Sequence, residues 1–249
     1  MSLIRISAVS YLNSKPFIYG LEQSALIKDI QLSLDTPATC AEKLLTNKVD
    51  IGLVPVAILP KLDRYYIISD YCIGAIGPVS SVKLYSQTPL KDIECIWLDH
   101  QSRTSVALTR ILAKKYWHIE PKWLNGEEGY EQKISGKTAG VVIGDRSFVL
   151  NQKFEYQYDL SEEWYKFTKL PFVFACWVTT KELSPAFNAA FNAALKMGVG
   201  STGLLSKEIN KTGKYKTDVY EYLHKYLSYE LDAEKRKGLD LFLKYLKQK

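Results

Sequence analysis

Four short stretches of this chain concentrate hydroxyls, amides and a few charges beyond what a turn needs. "SYLNSKP" brings Ser10, Tyr11, Asn13, Ser14 and Lys15 directly behind the apolar run "ISAV". "GPVSSVKL" interrupts a strand-like run with Ser80 and Ser81. "LDHQSRTSVAL" sets His100, Ser102, Arg103, Thr104 and Ser105 between a strand pattern and a helical one, and "VVIGDRSF" places Asp145 after Gly144. Serine, threonine and asparagine donate hydrogen bonds without titrating near neutrality, and a helix start adds backbone N–H groups that attract anions. Each stretch also has a structural explanation. Ser102 or Thr104 caps a helix, Ser81 sits on an edge strand, Asp145 closes a turn, and "NSKP" is ordinary turn chemistry. Only their joint position at strand ends points to a site, and the chemistry it suggests is the holding and orienting of an anion.

Other templates fare poorly. The chain has no HExxH, Walker A, GxGxxG or GxSxG motif. Of its 3 histidines, His118 and His224 fall in helical patterns where an exposed or satisfied ring is expected, whereas His100 follows Asp99 at a strand end and is placed to touch a ligand. Cys40, Cys72, Cys95 and Cys176 lie far apart in mostly apolar surroundings with no CxxC spacing, which reads as buried reduced thiols rather than zinc ligands or disulfides. An enzyme of this sequence is therefore expected to work without a metal or a His-centred triad.

The elements that must position these groups alternate. Strand-like runs recur at "LIRISAV", "IQLSLD", "VDIGLVPV", "YYIISDYCIGAIG", "SVKLYS", "ECIWLD", "GVVIG" and "FVFACWVTT". Helical patterns lie between several of them, at "PATCAEKLLTNK", where Ala41, Leu44 and Leu45 share a face, and at "RTSVALTRILAKKYW", where Val106, Leu108, Ile111 and Leu112 do. That alternation predicts an α/β protein with largely parallel sheets. From Ser184 onward "SPAFNAAFNAALKMG", "GLLSKEIN", "TDVYEYLHKYLSYEL" and "DAEKRKGLDLFLKYLKQK" all read as helical, with Ser184 and Pro185 as N-cap and first helical residue and Gly198 as a stop. The tail's Tyr220, Tyr222, Tyr226 and Tyr229 read as core or lobe surface rather than ligand contacts, and its helices either pack on the first lobe or pair two copies.

The 249 residues suffice for one large domain or two lobes, and 47% hydrophobic with 24% charged residues is an ordinary globular balance. The net charge of +6 is partly carried by a solvated face of the last helix, so no nucleic-acid partner is expected, and a modest positive balance suits a small anionic substrate. The start "MSLIRISAV" has no basic n-region or cleavage site, and the longest apolar segments are broken by Asp50, Gly52, Pro55 and Pro60. A cytoplasmic protein with no membrane partner is the expectation.

Taken in order, "SAVSYLNSKPF", "DIGLVPV", "GAIGPVSSVKLYS", "LDHQSRTSVAL", "VVIGD" and "DLSEEWYKFTKLPFVFACW" resemble the chorismate dehydratase family of the futalosine route to menaquinone. The resemblance spans residues 4 to about 180, and six ordered motifs make it specific. It implies a type II periplasmic-binding-protein-like fold, α/β and two-lobed, with a ligand cleft between the lobes and a helical C-terminal segment. On this basis residues 1–86 and 176–249 form lobe one and residues 87–175 lobe two. The implied reaction is the cofactor-free loss of water from chorismate, giving 3-[(1-carboxyvinyl)oxy]benzoate. Asn13 is then the expected catalytic group, with Ser10, Tyr11, Ser81, His100, Arg103, Thr104, Ser105 and Asp145 binding substrate. Few bases occur in the matched motifs, which favours abstraction of the proton by the substrate's own enolpyruvyl carboxylate. The rivals are the sister enzyme that makes 1,4-dihydroxy-6-naphthoate on the same fold, and a solute-binding protein that catalyses nothing.

Overall fold

The structure, a computed structural model, describes residues 3–150 and 153–248. The ends of the lobe ranges at residues 1–2 and Lys249, and residues 151–152 inside lobe two, lie outside the described residues. Two mixed sheets with helices on their faces make two lobes. The first begins with β1 (Ile4–Val9), a 3₁₀ turn (Leu12–Ser14) and α1 (Lys15–Gln23), with Pro16 in the opening turn, where its missing N–H removes no helical bond. Next come β2 (Ile30–Asp35), α2 (Pro37–Leu45), the fully buried β3 (Ile51–Pro55), a 3₁₀ segment (Val56–Lys61) and β4 (Tyr66–Ala75). Helix α2 starts where it does because Thr36 accepts the N–H of Thr39 at 3.3 Å and Pro37 presets the first turn.

The second lobe contains β5 (Val82–Ser86), β6 (Cys95–Leu98), α3 (Thr104–Leu112) with a π turn (Ala113–Trp117), β7 (Lys122–Asn125), β8 (Thr138–Ile143), a 3₁₀ segment (Gly144–Val149), β9 (Tyr156–Asp159) and α4 (Leu160–Thr168). The chain returns through β10 (Phe172–Thr179) and finishes with α5 (Pro185–Gly200), α6 (Thr202–Lys211), α7 (Val219–Glu221) with a π turn (Tyr222–Tyr226), β11 (Ser228–Glu230) and α8 (Ala233–Lys247). Strand order is β11-β4-β10-β3-β1-β2 in one sheet and β7-β6-β8-β5-β9 in the other. Phe172 stands opposite Ala75, so the outgoing and returning crossings lie side by side. Among the described residues no helix is long and apolar enough to cross a membrane.

Several expectations shift. Strand β5 belongs to the second sheet, so the first crossing falls between Ala75 and Val82 rather than after residue 86, and the return strand begins at Phe172 rather than 176. The sheets are mixed because the strands beside the crossings run backwards: β10 is antiparallel to β3 and β4, and β5 to β8 and β9. The stretch "TDVYEYLHKYLSYEL" is not one helix. Its end straightens into β11, which pairs with the free edge of β4. Strands β7 and β9 leave little trace in the sequence, since each has only 4 residues and neither is an apolar run.

Gly198 does not stop its helix. It lies inside α5 where α1 crosses it, and a Cβ there would sit 1.9 Å from the Pro16 carbonyl oxygen, as one on Gly20 would sit 2.1 Å from that of Ala194. Close backbone approach, not helix termination, requires glycine here. The contact fixes the position of the helix that directly follows Asn13. At the other end of the chain, Phe242 of α8 is fully buried and meets Trp164 of α4 and Phe172 of β10 edge-on, with centroids 6.2 Å and 5.1 Å apart. The tail thus seals the seam between the lobes.

Gly198→Ala is expected to force α1 and α5 apart and lower unfolding stability by about 1–3 kcal/mol. Urea midpoints against wild type, with the exposed neighbour change Met197→Ala held within about 0.5 kcal/mol as control, check this. Equal midpoints for Gly198→Ala and wild type would show the crossing to be looser than described.

Candidate functional site

Helices α1, α2 and α3 all start at the rim of one cavity between the lobes. Asn13 and Ser14 line it at the start of α1, Pro37 at the start of α2, and Thr104 and Ser105 at the start of α3, with Tyr11, Ser81, Ser102 and Gly144 beside them. The cavity is narrow, with an interior volume of about 60 Å³. Its described lining includes no Asp, Glu, His, Lys or Arg side chain. Each helix start carries about half a positive elementary charge and unpaired N–H groups, so the site favours an anion without a side-chain cation. A wider depression near Arg110, Trp123 and Tyr245 lies away from these strand ends and is lined mainly by surface residues.

Asn13 is held at both of its oxygens. The Ser14 hydroxyl donates to its side-chain Oδ1 at 3.0 Å, and the Tyr229 hydroxyl donates to its backbone carbonyl at 3.0 Å. With Oδ1 accepting from Ser14, the amide N–H groups are the donating side, turned to the Tyr222 hydroxyl and the cavity. Ser81, not Ser80, faces the cavity, and it is 1% exposed. Ser80 sits in the left-handed region at φ 66°, held there because its N–H donates to Asp159 at 2.6 Å beside that of Val79 at 3.0 Å. The same carboxylate caps α4 through the N–H groups of Ser161 and Glu162. Burial pushes the Asp159 carboxyl above its ordinary range, against the pull of these N–H donors.

Thr104 joins the lobes. Its hydroxyl donates to the Phe174 carbonyl of β10 at 3.0 Å and accepts the Ala57 N–H at 3.2 Å. Both contacts are to backbone, so the hydroxyl ties α3 to β10 and to the segment at Ala57. Ser102 accepts the N–H of Ser105 at 3.1 Å and so supports the first turn of α3. Across the cleft, the Tyr11 hydroxyl donates to Gln101, and the Leu12 N–H donates to Asp145 Oδ1 at 3.1 Å. The Tyr11 ring rests on Gly144, at φ 66°, where a Cβ would come within 2.7 Å of it. Burial, and then the nearby Asp99, push the Tyr11 phenol far above its ordinary range, so it stays protonated.

Behind Gln101 lies a fully buried carboxylate. Asp99 accepts the N–H of Gln101 at 2.8 Å and of Ile143 at 3.2 Å, the Tyr130 hydroxyl at 3.1 Å and the Arg146 guanidinium at 2.5 Å. It ties the loop before α3 to β8 and to the segment carrying Gly144 and Asp145.

Of the expected site residues, Tyr11, Asn13, Ser81, Thr104 and Ser105 come together at the cavity, whereas Ser10, His100, Arg103 and Asp145 do not line it. Ser10 is exposed, and its N–H donates to the Asp35 carbonyl at 2.9 Å. Arg103 is exposed as well and bonds the carbonyls of His100 and Ser102. The His100 ring stands edge-on to Tyr130 with centroids 6.3 Å apart. Asp145 is taken up by the Leu12 N–H, and burial raises its carboxyl. Sequence reasoning missed Asp99, Asp159, Tyr222 and Tyr229 as supports. A capping-box spacing in "DLSE", with Asp159 first and Glu162 fourth, was the one available signal.

The family described as menaquinone biosynthesis matches residues 4–248. A chorismate dehydratase of Thermus thermophilus is 28% identical over 262 residues, covering 93% of this chain and 96% of that protein. Among solved structures, a protein of Archaeoglobus fulgidus superposes with a TM-score of 0.77 at 12% identity, covering 98% of this chain and 97% of that one. The periplasmic aliphatic sulphonate binding protein SsuA of Escherichia coli reaches 0.62 at 15% identity, covering 98% and 93%. The fold is thus that of the periplasmic binding proteins.

Arg146→Ala leaves Asp99 buried without its cation and is expected to cost about 3 kcal/mol of stability. Burial already raises the Asp99 carboxyl and Arg146 holds it back, so the variant's carboxyl moves further above its unfolded value of about 3.9. A raised folded pKa means proton uptake on folding, so this group's contribution improves as pH falls through the folded value. Urea midpoints should therefore show a larger deficit for the variant at pH 8 than at pH 5, and an equal deficit would contradict the assignment.

Proposed function

This chain belongs to the menaquinone-biosynthesis family, and from that premise we propose that it is a chorismate dehydratase, a carbon–oxygen lyase that removes water from chorismate to give 3-[(1-carboxyvinyl)oxy]benzoate. The observation that carries the reading is the cavity itself: three helix starts, several neutral donors and no charged side chain among its described lining residues. Chorismate is a ring acid with two carboxylates, one elimination from aromaticity. Such a substrate needs anion-binding dipoles, orientation and exclusion of water more than it needs a strong base.

In this scheme Ser81, Ser105 and the N-terminus of α3 hold one carboxylate, while apolar walls that include Ile73, Ile143 and Phe174 flank the ring. The enolpyruvyl carboxylate takes the ring proton beside the ether. The released electron pair forms the ring double bond as the neighbouring C–OH bond breaks, and the departing hydroxide takes the proton the carboxylate collected, which restores the carboxylate and releases water. Asn13 donates its amide N–H to the oxygen that departs and so stabilises charge that appears only in the transition state.

Asn13→Ala is expected to cut turnover of chorismate by roughly 10²-fold or more, while the dissociation constant for chorismate stays within several-fold. His100→Ala should lose little, since its ring lies outside the cavity lining. Chromatographic detection of the aromatic product reads both. Near-normal turnover in Asn13→Ala would remove that residue from the chemistry, and a collapse in His100→Ala would replace the substrate carboxylate with a histidine base. A protein that binds chorismate and never releases product would be a solute-binding protein instead.

A further inference from the structure

The C-terminal segment delivers two tyrosine hydroxyls behind the cavity wall. Tyr229 is 6% exposed and serves the Asn13 backbone carbonyl, whereas Tyr222 is 2% exposed and its hydroxyl donates to Ser81 Oγ at 2.8 Å. The Tyr222 hydroxyl also faces the Asn13 side chain. Its ring is fixed by Phe148 of the second lobe, edge-on at 5.0 Å between centroids. Ser81 and Tyr222 are 141 residues apart in the chain and are joined only by the fold.

That bond sets the polarity of Ser81. A serine hydroxyl has one proton and two lone pairs, and can face a ligand as donor or as acceptor. With Tyr222 donating from behind, the Ser81 oxygen is the acceptor on its buried side and its proton is left for the cavity. Burial holds the Tyr222 phenol protonated far beyond neutrality, so the donor is always present. A Ser81 hydroxyl without this partner is free to rotate and can show a lone pair to an anion, which repels it.

We propose that Tyr222 is a positioning residue of the substrate site, which acts through Ser81 by fixing its hydroxyl as a donor to a substrate carboxylate. The inference rests on the reading that the cavity takes chorismate. The carboxylate is present in ground and transition states alike, so the donor acts on binding in both and its loss appears in KM rather than in kcat. Tyr222→Phe keeps the ring and its contact with Phe148 and removes only the hydroxyl.

The expected result is a KM for chorismate about tenfold higher, in line with a hydrogen bond to a charged group, and kcat within about twofold. Binding of the aromatic product, measured by calorimetry, should weaken by the same factor. In a Ser81→Ala background the Tyr222→Phe change should have no further effect on KM, because the group it acts through is gone. An unchanged KM, a loss confined to kcat, an additive loss in the Ser81→Ala background, or a Tyr222→Phe protein that no longer folds would each make the hydroxyl a purely structural group and overturn the proposal. Wild-type protein that fails to convert chorismate is a separate outcome, and it would count against the proposed function instead.

Discussion

The structure depends on one electrostatic constraint: a site for an anion is built between two lobes with no charged side chain among its described lining residues. Three helix starts, at Lys15, Pro37 and Thr104, converge on it. Each contributes typically 0.3–1 kcal/mol to a nearby negative group at the surface and up to about 2 kcal/mol where water is partly excluded. Dipoles have an advantage over an arginine here. A cation within about 4–6 Å lowers the proton affinity of a carboxylate, and in the proposed reaction one substrate carboxylate must accept a proton from carbon. Hydrogen-bond donors lower the proton affinity of the carboxylate they hold as well, so in the proposed scheme the donors grip one carboxylate and leave the enolpyruvyl one, away from any side-chain cation, to take the proton.

Dipoles act only at short range, so their placement must be exact to a fraction of an ångström. The scaffold shows how this is achieved. Gly20 and Gly198 let α1 and α5 touch backbone to backbone, which sets α1 and the Asn13 turn before it. Asp159 gathers four backbone N–H groups from Val79, Ser80, Ser161 and Glu162, which sets the strained turn that presents Ser81. Asp99 does the same for the loop before α3. Buried carboxylates are costly unless fully hydrogen-bonded, and each of these is surrounded by donors.

The lobes are also tied to each other. Thr104 reaches from α3 to β10 and Ala57, Leu12 to Asp145, and Tyr11 to Gln101. These contacts close the cleft over its narrow cavity and exclude water from the ring face where elimination would occur. The periplasmic aliphatic sulphonate binding protein SsuA superposes on the same fold. Any chemistry is therefore a matter of what lines the cleft, because a clasp of this shape is compatible with binding alone.

The sequence by itself determined the local features. Apolar runs and caps marked most strands and helices, Ser184 with Pro185 marked the start of α5, and the polar clusters at strand ends marked Asn13, Ser81 and Ser105. These signals are short-range: periodicity, capping and turn chemistry act within a few residues. Only the tertiary structure decided which clusters share a cavity. It removed Arg103, His100, Ser10 and Asp145 from the lining and occupied the Thr104 hydroxyl with backbone. It turned Gly198 from a helix stop into a contact point, and it brought Tyr222 and Tyr229 from the tail to Ser81 and Asn13. Such pairings span 141 and 216 residues and are made by packing, whose outcome depends on shape and contact across the whole molecule and leaves no periodic trace along the chain.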